Sequence, residues 1–184
     1  MQDIKGFTLT MKAPQRAAGM VSATGEVPLF LTSADGQDWY ECQAAFADDT
    51  IKIMYDADGV IRGMVDKPVA QRGHTLAVSM FFPLGMSVAE LQNVPAGCAG
   101  DGRWRFVEGQ VVRNTAWFVR RAEKQKQRRL SQVATEMAPL QAAMLLGDIT
   151  EAESQRLKVL LAYARTLSAL DVTTDPEAPL PALP

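Results

Sequence analysis

The sequence predicts an α+β protein. A β-rich N-terminal domain built from hairpins spans residues 1–115, an antiparallel αα-hairpin spans 116–171, and an extended proline-rich tail spans 172–184. Three observations carry this. Asp-Gly or Glu-Gly pairs at 35–36, 58–59 and 108–109 each separate short apolar runs, the signature of tight β-turns. From Trp117 up to Pro139 no turn-forming residue appears, and apolar residues recur every three or four positions. Four prolines then fall within residues 176–184, a density that forbids a helix.

The first hairpin is expected to run from Val27–Thr32 through a turn at Ser33–Gln37 into a strand carrying Trp39, Tyr40 and Cys42. On such a strand Trp39 and Tyr40 face opposite sides. The second is stronger: Ile51, Ile53 and Tyr55 alternate with Lys52 and Met54, Asp56–Gly59 turns, and Val60–Val65 returns. The third runs Trp104–Val107, turns at Glu108-Gly109 and returns through Val111-Val112. Glycine at the turn positions takes positive φ without steric cost. Between the second and third hairpins, Leu76–Phe82 reads as one buried strand. Pro83–Gly102, with two prolines and four glycines, reads as loop with a short helix near Val88–Leu91. This region is expected to cover the second hairpin's apolar face.

In the helical part, Leu130, Val133, Met137, Leu140 and Met144 follow a 3–4–3–4 spacing that lines one helix face, and Gly147 ends the helix. Thr150-Glu151-Ala152-Glu153 forms a capping box. Leu157, Leu160, Leu161, Ala164 and Leu167 form the inner face of the second helix, which must pack antiparallel on the first because the link is short. Val159, Tyr163 and Leu170 are left as a surplus apolar edge that needs a partner. Pro139 lies inside the first helix, where a kink or a break into two helices is expected. For the tail two readings stand: a disordered end, or an extended arm that docks on a partner.

Composition bounds the function. With 184 residues, 47% hydrophobic and 22% charged, the chain has the make-up of a soluble folded domain with an appendage. No apolar run is long enough to span a bilayer, and Met1–Lys5 does not open a secretory signal. Two cysteines exclude a disulfide scaffold, and one histidine argues against a His-based metal centre or catalytic pair. The net charge of −2 gives no bulk attraction to nucleic acid. Residues 1–115 carry 10 basic against 13 acidic side chains, net −3. Six basic residues gather within 120–129, against one acid. That block reads as a solvated helix section, with contact to an acidic partner or an anionic glycan as alternatives.

No catalytic constellation emerges. His74 lies between Gly73 and Thr75 in a turn-like context, Cys42 reads as a small core residue, and Cys98 sits in a loop with no base near it in sequence. Asp48, Asp49, Asp56 and Asp58 do not fit a calcium loop, and turn chemistry explains Asp56 and Asp58. Gly97–Gly102 lacks the lysine of a phosphate loop. The residues imply no enzyme, no cofactor and no metal. The aromatics Trp104, Trp117 and Phe118 read as core before they read as a ligand platform. The candidate partner-binding residues are Trp39, Tyr40, Ile51, Ile53, Trp104 and Phe106.

Asp35–Glu41 and Asp49–Asp56 resemble the N-terminal part of the tail fibre assembly proteins of Mu-type and lambda-like phages. Pro139–Ala143, Gly147–Glu153, Asp171–Pro176 and the proline-rich end are similar to the C-terminal signature of the same family. The resemblance covers most of 30–65 and 130–184, and residues 1–29 and 66–115 match weakly. It implies a chaperone without a catalytic centre that binds the C-terminal segment of a tail fibre, helps it fold and trimerise, and acts in the host bacterial cytoplasm. It also implies an alternative, a virion component kept at the fibre tip that touches host lipopolysaccharide. Self-association is a further expectation. Neither nucleic acid nor a membrane span is expected.

Overall fold

The structure is a computed structural model that describes residues 1–10, 29–65 and 77–184. It is α+β, with a β-rich N-terminal part and two long C-terminal helices, and it divides into two units, Met1–Asn114 and Thr115–Pro184. The expectations at Val27, Pro28, His74 and Leu76 lie outside the described residues.

The first unit is organised by a four-stranded antiparallel sheet in the order β1 (Asp3–Ile4), β6 (Ser87–Leu91), β4 (Ile51–Tyr55), β5 (Ile61–Val65). Strand alternation sends Ile53, Tyr55, Ala89 and Leu91 into one apolar cluster and Met54, Val88 and Ile4 into another, on the opposite face. The first cluster is closed by the two-stranded ribbon β7 (Trp104–Val107) and β8 (Gln110–Arg113), together with Val94 and Cys98. The second is closed by the ribbon β2 (Thr8–Thr10) and β3 (Phe30–Thr32), the short helix α1 (Trp39–Cys42), and Val78 and Phe81.

Three local expectations are overturned. Trp39, Tyr40 and Cys42 lie in a helical turn, not a strand. The Asp38 carboxylate accepts from the amides of Tyr40 and Glu41 and so caps α1. Residues 77–80 form a 3-10 turn, not a buried strand. Val88–Leu91 lie in β6, an interior strand of the main sheet, not in a helix. All five β6 residues are buried, because cores cover both faces, and that removes the alternation that marks a half-exposed strand.

At the β4–β5 turn Gly59 has φ +77°, and a Cβ there would lie 2.5 Å from the Phe106 carbonyl oxygen. The Phe106 amide donates to the Gly59 carbonyl at 2.7 Å. This glycine therefore serves both the turn and the seating of β7 against it.

In the second unit α2 (Thr115–Leu146) and α3 (Glu151–Ala169) lie side by side. Lys126 Nζ donates to the Ser168 carbonyl at 2.8 Å, and Glu136 pairs with Arg156 at 2.6 Å, so the helices run in opposite directions. Val133, Leu160, Tyr163 and Leu167 are buried between them, flanked by Leu130, Met137, Leu140 and Ala164. The Asp148 amide bonds back to the Ala143 carbonyl where α2 ends, and the Thr150–Glu153 capping box opens α3.

Four expectations change here. Met144 is 62% exposed and takes no part in the packing. From the Glu136–Arg156 pair α2 continues ten residues and α3 only five, which at 1.5 Å per residue leaves α2 about 7 Å longer. Leu161 is only half-buried and lies outside that cluster, whereas Leu157 is buried. Of the kink or break expected at Pro139, the break does not occur, since α2 is continuous through it. Met137 and Leu140 pack against α3 on either side of the proline, which offsets its local cost. Tyr163 is buried rather than left over as a surplus edge: its hydroxyl donates to the Pro181 carbonyl at 3.1 Å. The C-terminal residues lie back on their own helices, with Leu180 packed against the cluster.

Candidate partner-binding surface

Of the six candidate residues, the structure brings four together. Ile51, Ile53, Trp104 and Phe106 share the cluster between the main sheet and the β7–β8 ribbon. Ile53 and Trp104 are buried there, while Ile51 and Phe106 are partly buried. Trp104 donates its indole N–H to the Gly97 carbonyl at 3.1 Å, and the Arg113 guanidinium stands over its ring at 5.1 Å. The Phe106 ring lies 5.1 Å from that of Tyr55. The other two candidates lie on the opposite side of the sheet. Trp39 is buried edge-on against Phe7, with a centroid separation of 5.1 Å, and offers no surface. Tyr40 is half exposed, packed edge-on against Phe30, with its hydroxyl donating to the Leu29 carbonyl at 3.2 Å.

The surface these groups support is the β7–β8 ribbon. Phe106 and Val111 face the core as a registered pair, so Arg105, Val107, Gln110 and Val112 face outward. Val107 and Val112 are 40% and 39% exposed. Arg105 is held by two bonds to the Asp58 carbonyl, at 2.9 and 2.6 Å. Among the described residues β8 has one strand neighbour, β7, and so forms a sheet edge. An edge of this kind, stiffened from beneath by packed aromatics, can accept another strand. Sequence reasoning found the inward half of this ribbon and missed Val107 and Val112. The alternation about Glu108-Gly109 was the signal that could have located them.

Several other titratable groups serve the fold. Burial pushes the Cys42 thiol up to about 11, and burial with the nearby Asp101 raises that of Cys98, so neither is an activated nucleophile. Both are buried and free. Asp56 accepts from the amides of Asp58 and Val60 and pairs with Arg62 at 2.8 Å, which makes it the organiser of its turn. Among the described residues, no group of three or more His, Cys, Asp or Glu side chains could hold a metal ion. No helix among them is long and apolar enough to cross a membrane.

The basic block is not simply a solvated face. Lys126 holds the Ser168 and Leu170 carbonyls, Arg129 donates to the Pro181 carbonyl, and Arg121 stands over the Trp117 ring at 5.5 Å. Trp117 in turn packs edge-on against Phe118, with ring centroids 4.9 Å apart.

Comparison with known proteins gives this architecture a lineage. Residues 41–184 match the family model described as Caudovirales tail fibre assembly protein, lambda gpK. The chain is 34% identical over 156 residues to tail fiber assembly protein U of Escherichia phage Mu, covering 82% of this chain and 83% of that one. It is 32% identical over 156 residues to the probable tail fiber assembly protein of Escherichia phage P2, with the same coverage. It is also 32% identical over 152 residues to tail fiber assembly protein U' of Escherichia phage P1, covering 80% of each chain. The family match takes in the last two residues of α1, the main sheet beyond β1, the β7–β8 ribbon and both long helices. The chain belongs to the Caudovirales tail fibre assembly protein family.

Proposed function

We propose that this protein is a chaperone for a phage tail fibre. It binds the C-terminal part of the fibre in the host bacterial cytoplasm and promotes its folding and trimerisation by binding alone. The observation that carries this reading is the β8 edge of a ribbon whose outer face exposes Val107 of β7 and Val112 of β8, in a chain of the tail fibre assembly family. A trimeric β-rich fibre has high contact order and must align three chains before its edges close. Until then it exposes unpaired strands and apolar surface that aggregate. A rigid edge with small apolar side chains can occupy such a strand until the trimer forms. Binding energy shifts the populations without a nucleotide. The helical unit, read as an antiparallel hairpin, adds a second contact surface.

The glycan-binding alternative rested on the basic block and on exposed aromatics. Lys126, Arg129 and Arg121 are engaged within the chain, and of the candidate aromatics Trp39 and Trp104 are buried. Nothing in the geometry favours that reading.

Co-expression tests the proposal. With the cognate fibre, this chain is expected to raise the yield of soluble fibre trimer at least fivefold over the fibre alone. Equal yields of trimer with and without it would overturn the reading.

A further inference from the structure

The C-terminal segment is attached to its helices in an unusual way. Arg129 and the Tyr163 hydroxyl both donate to the carbonyl of Pro181, and Arg156 Nη1 donates to that of Pro184 at 3.2 Å. All three bonds go to main-chain carbonyls, which every extended chain possesses, and none reads a side chain of the segment. Leu180 is the segment's apolar anchor in the buried cluster. Residues 178–184, Ala-Pro-Leu-Pro-Ala-Leu-Pro, carry no charge. Two cavities of about 250 and 240 Å³ lie along the segment. The first is bounded by Phe118, Arg121, Gln125 and Arg129 of α2, the second by Ala122. The segment is thus held at Leu180, Pro181 and Pro184, with open space beside it along 176–181.

We infer that residues 178–184 are a displaceable strap, and that the α2–α3 groove beneath is a binding site for an extended, uncharged, proline-bearing strand of a partner chain. The strap is the resident competitor. Proline-bearing strands suit such a site, because they are pre-extended and lose little conformational freedom on binding. A strap bound nine-tenths of the time weakens a competing strand tenfold, since only the open fraction binds. The Asp171 carboxylate, which accepts from the Thr173 amide and hydroxyl, orders the turn from which the strap swings. The identity of the partner rests on the chaperone reading, in which it is the unfinished fibre's terminal strand. The existence of the groove does not.

The probe is a fluorescein-labelled synthetic peptide of residues 172–184, titrated by anisotropy into the full-length chain. Leu180→Asp, which removes the anchor, is expected to bind it at least tenfold more tightly than the unaltered chain. Adding Tyr163→Phe to that variant should weaken binding about fivefold. Far-UV circular dichroism checks that the helices persist, and Leu180→Ala serves if Leu180→Asp does not fold. Equal affinity for the altered and unaltered chains, or no binding to a folded variant, overturns the proposal. So does a concentration-dependent dimer of the unaltered chain that Leu180→Asp abolishes, which would assign the groove to a second copy. The cognate fibre's C-terminal segment should displace the peptide. If that segment binds the chain without displacing the peptide, the groove assignment fails while the chaperone reading stands.

Discussion

Lys52 and Glu90 face each other across β4 and β6 and grip the same loop residue, one by its carbonyl and the other by its amide. The amide of Ala47 donates to Glu90 Oε1 at 2.6 Å, and its carbonyl accepts from Lys52 Nζ. Both side chains are buried. Glu90 also accepts from the Thr50 hydroxyl at 2.7 Å and the Gln2 amide at 3.0 Å, and Lys52 donates to the Thr50 carbonyl at 2.8 Å. The pair thus ties the chain's first residues and the loop before β4 to the middle of the main sheet.

Glu90→Ala should be among the most damaging single substitutions in the first unit. It orphans the Ala47 and Gln2 amides and the Thr50 hydroxyl, all of which donate to this carboxylate. A loss of about 3 kcal/mol is expected in urea unfolding. A loss under about 1 kcal/mol would show that the cluster is not structural.

The same carboxylate gives a pH dependence. Burial alone would raise its pKa, but the bonds from Thr50, Ala47 and Gln2, with the N-terminal charge nearby, lower it below the usual 4.5. Its stabilising contribution is complete above that value and is lost as pH falls through the lower, folded-state value. Urea unfolding from pH 7 to pH 3 should show stability falling below about pH 4.5, and Glu90→Gln should flatten that part of the profile. An unchanged slope in Glu90→Gln would contradict this.

Two glycines with similar φ make an internal control. Gly36→Ala meets open space at φ +88° and should cost about 1 kcal/mol, the penalty of the left-handed conformation. Gly59→Ala adds a collision with the Phe106 carbonyl oxygen and should cost about 3 kcal/mol. Equal melting temperatures for the two variants would sink the close-approach argument.

Pro139→Ala should stabilise the helical unit by about 1–3 kcal/mol, because α2 already runs through the position and the missing backbone bond would be restored. Thermal unfolding followed at 222 nm reads this. A lower midpoint would mean that the proline is required for the packing of α2.

Much of the fold was legible where local signals and tertiary packing agree. The β4–β5 and β7–β8 pairs and the Thr150–Glu153 cap follow from two or three residues each. The misreadings have identifiable causes. Asp38 and Glu41 stand three apart, as the ends of a helix cap do, but Trp39 and Tyr40 read more strongly as strand. β6 was hidden because burial on both faces erases period two. The candidate site was legible only by residue type: Ile53 and Trp104 are candidates as apolar and aromatic residues, Trp104 reading first as core, and the packing of β7–β8 over the sheet places both inside. The strap was not legible at all. Its partners, Arg129, Arg156 and Tyr163, are 18 to 52 residues away, and proline content alone speaks only of extension.

Isothermal titration of the cognate fibre's C-terminal segment into the full-length chain tests the central claim most directly. Saturable binding at micromolar concentration or tighter, weakened at least tenfold by Val112→Asp in a chain that remains folded, is the expected result. No heat of binding with the folded, unaltered chain would contradict the account.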